Sequence, residues 1–175
     1  MIRKSDGFAL IDILFVCSIM SVLCTIALPR MLLARQSAGS ASAIGSMRAI
    51  NSAQLSFALS CGGGFYAPNL TTLGAPPPAS RDAFISPNLG ATDTVLHSGY
   101  MISVEATPFA GAPDSCNGLA AGAAGQAFRA GADPVETGNP RFFATNANGQ
   151  IFEHSSTLLS SMPETGQPPI GHPLP

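Results

Sequence analysis

Residues 8–28 read FALIDILFVCSIMSVLCTIAL, 21 residues that carry one charge, Asp12. At a rise of about 1.5 Å per residue this makes about 31 Å of helix, enough to cross the hydrocarbon core of a bilayer. The alternative for an apolar run this near the N-terminus is a cleaved secretory signal. The run is longer than the apolar region of such a signal, and no A-x-A-like site follows it. The chain instead continues Ile26-Ala27-Leu28-Pro29-Arg30-Met31 and stays rich in helix formers. A retained transmembrane helix over 8–28 is therefore expected.

The flanks leave its orientation open. Arg3 and Lys4 precede the run with Asp6 beside them, and Arg30 and Arg35 follow it. The bias of short flanks that sets topology is nearly balanced. Cysteine usage says more. Cys17 and Cys24 lie inside the run, where a free thiol behaves as a small apolar group. Cys61 and Cys116 lie in the polar part, and such a pair suits a disulfide in an oxidising compartment. Two free cytosolic thiols are the alternative. The expectation is a bonded pair, with the polar part outside the cytoplasm.

Working outward, residues 1–7 form a polar leader that ends at Gly7. Beyond the run, Pro29 removes a backbone donor and clashes with the preceding turn, so a kink in a continuing helix is expected there. Residues 29–61 read as that continuation. From Ile44 the pattern becomes one-sided: Ile44, Met47, Leu55 and Ala58 share a face that Ile50 and Phe57 extend, while Arg48, Ser52 and Ser56 fall opposite. Cys61-Gly62-Gly63-Gly64 stops the helix. Residues 62–162 then read as a globular head.

Within the head, residues 65–88 read as an irregular connection with Pro68, Pro76-Pro77-Pro78 and Pro87. Residues 97–105 alternate, with Tyr100, Ile102 and Val104 on one side and Met101, Ser103 and Glu105 on the other, which predicts a half-buried strand. Residues 110–125 are a Gly/Ala-rich loop holding Cys116. Residues 126–130 suggest a short second strand. Residues 141–145 and 150–154 flank Asn148-Gly149, the signature of a tight hairpin. The tail, 163–175, is Pro-rich and reads as disordered or draped. The fold class that follows is α+β: one long helix, membrane-spanning in its first half and amphipathic in its second, packed on a small antiparallel sheet.

The stretch Gly7-Phe8-Ala9-Leu10-Ile11-Asp12-Ile13 resembles the processing motif of type IV prepilins: a glycine, an aromatic residue, three small or apolar residues, an acid and another apolar residue. Pro29 sits where type IV pilins commonly place a kinking proline. Residues 41–51 look like the post-membrane helix of that family, and the hairpin over 141–152 looks like the closing strands of its heads. The resemblance implies cleavage between Gly7 and Phe8 by a prepilin peptidase on the cytoplasmic face, followed by N-methylation of Phe8. It also implies that Asp12 pairs with the amine of an adjacent subunit during assembly. The family's usual acid is Glu; Asp12 is one methylene shorter, which fits a minor or specialised subunit. The implied partners are other pilin subunits, the prepilin peptidase, the inner-membrane assembly machinery and membrane lipid. The implied location is the inner membrane, single-pass, with the head periplasmic or extracellular, and then an extracellular pilus. A pseudopilin of a type II secretion or DNA-uptake system is the nearest alternative. A membrane-anchored binding module that never polymerises belongs to another class.

Other chemistries find little footing. A net charge of -2 with 10% charged residues argues against phosphate-driven nucleic-acid binding. His97, His154 and His172 are far apart in sequence. Glu153-His154-Ser155 places acid, base and hydroxyl side by side, but consecutive strand residues face opposite ways. No His/Cys spacing fits zinc. Gly62-Gly63-Gly64 lacks the Lys-Ser/Thr of a phosphate loop, and Gly118, Gly122 and Gly125 lack a strand–turn–helix setting. Asn69-Leu70-Thr71 matches a glycosylation sequon. Cys17, Ser18, Ser21, Cys24 and Thr25 recur at helical spacing, either as a face for neighbouring helices or as an ordinary small-residue patch. No enzyme activity, cofactor or metal is expected.

Overall fold

The computed structural model describes residues 10–78 and 80–174. The chain falls into two units, Met1–Ala38 and Gly39–Pro175. Helix α1 runs Leu10–Ser60, with Pro29 inside it. Two short helices follow, α2 (Leu70–Gly74) and α3 (Pro87–Gly90). The strands are β1 (Thr94–His97), β2 (Tyr100–Glu105), β3 (Arg129–Pro134), β4 (Phe142–Asn146), β5 (Ile151–His154) and β6 (His172–Pro173). They form one antiparallel sheet in chain order, so each strand lies beside its sequence neighbour. The α+β arrangement of a long helix on an antiparallel sheet is the one the patterning predicts.

In the second unit α1 buries Ser40, Ala43, Ser46, Met47, Ile50, Ala53, Gln54, Phe57 and Ala58. These recur at three- and four-residue steps along one stripe. Met47, Ile50 and Phe57 meet Tyr100, Ile102, Val104 and Phe143 of the sheet in one core. Arg48, Ser52 and Ser56 are exposed, as expected. Leu55 is not in the core: it is 54% exposed, and Ile44 is only partly buried. The true stripe is rotated toward Ala43 and Gln54. The cause is a polar residue that belongs inside. Gln54 is fully buried because its amide donates to the Ala67 carbonyl and accepts from the Ala67 N–H, each at 2.9 Å. Hydropathy alone places Leu55 inside and Gln54 outside; the two backbone bonds reverse that order.

The strand expected over 97–105 begins three residues later, as β2 over Tyr100–Glu105, and is one arm of a hairpin whose other arm, β1, ends at His97. His97 pairs with Tyr100, leaving Ser98-Gly99 as a two-residue turn. Both have positive φ, 51° and 82°, the geometry that two-residue hairpin loops favour. Tyr100, Ile102 and Val104 face the core as predicted. The second strand lies further along than expected, over Arg129–Pro134, where register with β2 sets Val104 against Ala130 and Ile102 against Ala132. The hairpin of β4 and β5 forms as predicted, with Gly149 at φ 77° and its N–H on the Asn146 carbonyl at 2.8 Å. The connection over 65–88 is more ordered than its prolines suggest. Asn69 of the sequon caps α2, its Oδ1 accepting from the Thr72 N–H at 3.0 Å.

The sheet is covered on its other face as well. Ala144 and Phe152 meet Leu158 and Met162 there, and Leu159 lies so close to Gly131 that a Cβ would stand 2.9 Å from it. The tail is draped: β6 extends the sheet beside β5, and the Leu174 N–H donates to the Ile151 carbonyl at 2.8 Å. Fully buried Asn146 fastens the tail's start by donating to the Pro163 and Gly166 carbonyls at 3.0 and 2.7 Å.

On the helix side of β4 and β5, Arg141 forms a two-point pair with Glu153 at 2.6 and 2.8 Å, and its guanidinium stands 5.3 Å from the Phe143 ring. The bond from Arg141 holds the Glu153 carboxyl below its ordinary value, against a smaller opposing push from burial.

Two predictions follow from this packing. Gln54→Ala leaves both Ala67 backbone groups buried and unpaired, a cost of about 1–3 kcal/mol for each group; thermal unfolding of the full chain in detergent measures it, and an unchanged midpoint refutes the clamp. The Arg141–Glu153 pair stabilises the fold fully above the ordinary glutamate pKa of about 4.3. That contribution is lost as pH falls through the lowered folded value. Because Arg141 is 40% exposed, it is worth at most about 1 kcal/mol. Stability against pH for Glu153→Gln is expected to fall less steeply on the acid side than for the parent chain.

Candidate functional site

The part of α1 that precedes the head has a chemistry of its own. An 18-residue window within the helix averages a hydropathy of 2.4 and is 0% buried, which makes it a candidate membrane span. Its large apolar residues are exposed all round, from Leu10 at 75% to Ile19 at 46% and on through Leu33. A helix apolar on every side needs an apolar surrounding.

The hydroxyls in this stretch already have partners. Ser18 donates to the Leu14 and Phe15 carbonyls at 2.9 Å each, Ser21 to Cys17 at 2.8 Å, and Thr25 to Val22 at 2.7 Å. Each satisfies its polar hydrogen on its own helix, removing most of the penalty for placing it in lipid. Cys17 and Cys24 are free and exposed.

Asp12 stands apart from this pattern. It lies in the first turn of α1, where the helix dipole favours an acid. Among the described residues no ion pair includes it; the pairs are Arg129–Glu105 and Arg141–Glu153. Gly7 and Phe8, the expected cleavage and methylation positions, lie outside the described residues. Pro29 is within α1, which continues on both sides of it.

At the other end of α1, Cys61 and Cys116 are joined by a disulfide. The Cys116 N–H also donates to the Cys61 carbonyl at 3.1 Å. The bond ties the helix end to the Gly/Ala-rich loop that follows β2. At the start of the head, buried Tyr100 holds Ser40 at 2.9 Å and Asn139 at 2.8 Å through its hydroxyl, and Ser42 donates to Ser98 at 2.8 Å. The sequence shows Tyr100 as a core residue; nothing in it marks Ser40 and Asn139 as its partners.

Glu153, His154 and Ser155 do not converge. Glu153 is engaged by Arg141, and His154 Nδ1 lies 2.9 Å from Ser156 Oγ. His172 is opposite Glu153 on β6, and His97 ends β1. Among the described residues no three His, Cys, Asp or Glu side chains form a metal-binding group. Asn51, Tyr66 and Asn148 border one cleft beside the β4–β5 turn. In sequence the Asn148-Gly149 pair reads only as a turn, so the cleft is a product of the fold.

The disulfide closes a loop with a sequence separation of 55. Chain-entropy reasoning gives such a closure about 4 kcal/mol. Non-reducing peptide mapping is expected to recover Cys61 and Cys116 in one linked species, and the Cys61→Ser/Cys116→Ser double variant is expected to unfold at lower temperature. Free thiols at both positions in protein purified without reductant count against it. Comparison with family models, with curated proteins and with solved structures finds no match to this chain.

Proposed function

We propose that the chain is a structural subunit of a type IV pilus or pilus-like filament, held in the membrane and assembled through its N-terminal helix. The observation that carries this reading is the two-part character of α1. Its first part is apolar on all sides with one acid in the opening turn, and its second part is the central helix of a disulfide-closed head. The prepilin-like motif over residues 7–13 supports the same reading. In it, residues 1–7 are a leader, a prepilin peptidase cuts between Gly7 and Phe8, and Phe8 is N-methylated.

Asp12 then has a defined task. An uncompensated acid in a membrane helix costs about 2.5–3.5 kcal/mol at the helix centre and less near the interface. A positive amine on a neighbouring subunit offsets that cost only when the two helices are in register, so the acid converts apolar packing into an aligned assembly. The head lies on the periplasmic or extracellular side, where the disulfide forms. A pseudopilus subunit shares this mechanism and differs in where the filament goes. The shorter reach of Asp12 favours a minor or specialised subunit over the bulk one.

Intact-mass analysis of chain purified from cells with active prepilin peptidase is expected to show 168 residues (175 minus 7) carrying one added methyl. Retention of Met1 there removes the pilin reading. Asp12→Ala is expected to leave the head protease-resistant and the chain processed and membrane-held. The ratio of sheared-filament to membrane-pool subunit is expected to fall about tenfold, the equivalent of about 1.4 kcal/mol. Asp12→Glu is expected to incorporate at least as well as the parent chain. Equal incorporation of Asp12→Ala rules out charge pairing.

A further inference from the structure

The β4–β5 turn and the exposed flank of α1 enclose a cleft of about 300 Å³, at the lower end of the volumes that small-molecule sites occupy. Asn51, Ser52 and Leu55 line it from α1, Asn148 and Gly149 from the turn, and Tyr66 from the loop after the helix. No Asp, Glu, Lys, Arg or His side chain lines it. An anionic ligand finds no cation here, and a cationic ligand no carboxylate.

The cleft is rigidly built. Asn51 donates to Thr145 Oγ1 and to the Gly149 carbonyl, both at 3.0 Å. The Asn148 side-chain oxygen accepts from the Gly166 N–H at 2.9 Å, and its backbone N–H donates to Asn146 Oδ1 at 3.1 Å. Tyr66 leans on buried Phe128, with ring centroids 5.2 Å apart. Holding polar groups in place beforehand lowers the cost of binding.

Three groups at the cleft are left over. The Tyr66 hydroxyl, the Ser52 hydroxyl and the Asn148 amide nitrogen take part in no hydrogen bond among the described residues, although their neighbours do. Leu55, 54% exposed, adds an apolar rim beside them. Hydroxyl and amide groups next to an apolar surface, with no charge, match a ligand that has hydroxyls on its edges and C–H groups on its faces. We propose that this cleft binds a neutral sugar unit of a glycan. The site lies in the head and does not depend on the filament reading, since it is complete in a single chain.

The test uses the full chain in phosphocholine micelles, because maltoside detergents carry the very group under study. Side-chain amide and backbone resonances are followed during titration with N-acetylglucosamine. Saturable shifts confined to Asn51, Asn148 and Gly149 are expected. Tyr66→Phe keeps the ring on Phe128 and removes the hydroxyl; combined with Ser52→Ala it is expected to weaken binding about tenfold with the thermal midpoint unchanged. Glucosamine 6-phosphate is expected to bind no more tightly than the neutral sugar. Shifts that never saturate, that survive the double variant, or that favour the charged sugar overturn the proposal. So does a neutral blocked dipeptide that occupies the cleft when the sugar does not. Each result is read on unassembled chain, so it is separate from the outcome of the processing and incorporation experiments.

Discussion

The head depends on how one face of α1 is buried. Ala43, Met47, Ile50, Gln54 and Phe57 form the stripe that the sheet covers. Burying the large apolar side chains among them supplies about 1.5–3 kcal/mol each. The stripe is also specific, because Gln54 fits only where it meets the Ala67 backbone. A helix turned by one residue strands that amide in the core. One polar side chain therefore sets the rotation that the apolar residues alone leave loose.

The rest of the head is fastened to that arrangement at its margins. The disulfide holds the loop after β2 against the helix end. Asn51 reaches from α1 to Thr145 and Gly149, joining the helix to the β4–β5 hairpin. Asn146 draws residues 163–166 onto the same hairpin. Small residues make the second covered face possible: Gly131 and Ala144 leave room for Leu158, Leu159 and Met162. The aromatic side chains of the sheet serve both faces: Tyr100 and Phe143 pack under the helix, and Phe152 packs under Leu158 and Met162.

The first part of α1 follows a different rule. Its apolar window is 0% buried among the described residues, and its serines and threonine bond to carbonyls one turn back. Such bonds remove most of the cost of placing these hydroxyls in lipid. Asp12 is the one charge among residues 8–28, and a carboxylate has no comparable internal remedy. The helix can satisfy its hydroxyls from within but not this carboxylate.

Much of this was legible in the residues. The length and evenness of the apolar run, the glycines after Cys61, the alternation from Tyr100 to Glu105 and the Asn148-Gly149 turn each depend on near neighbours in the chain, so periodicity and turn chemistry suffice to find them. The tertiary structure decided what depends on distant partners. It exposed Leu55 and buried Gln54, because Ala67 is 13 residues away. It placed β3 over Arg129–Pro134, because ladder register with β2 outweighs weak strand propensity. It turned Asn69 into a helix cap, drew the Pro-rich tail onto β5, and gathered Asn51, Tyr66 and Asn148 around one cleft. Local pattern fixes an element's type. Which of its polar groups end up paired is settled only when remote backbone carbonyls and N–H groups arrive, and in this chain that pairing sets both the helix rotation and the cleft.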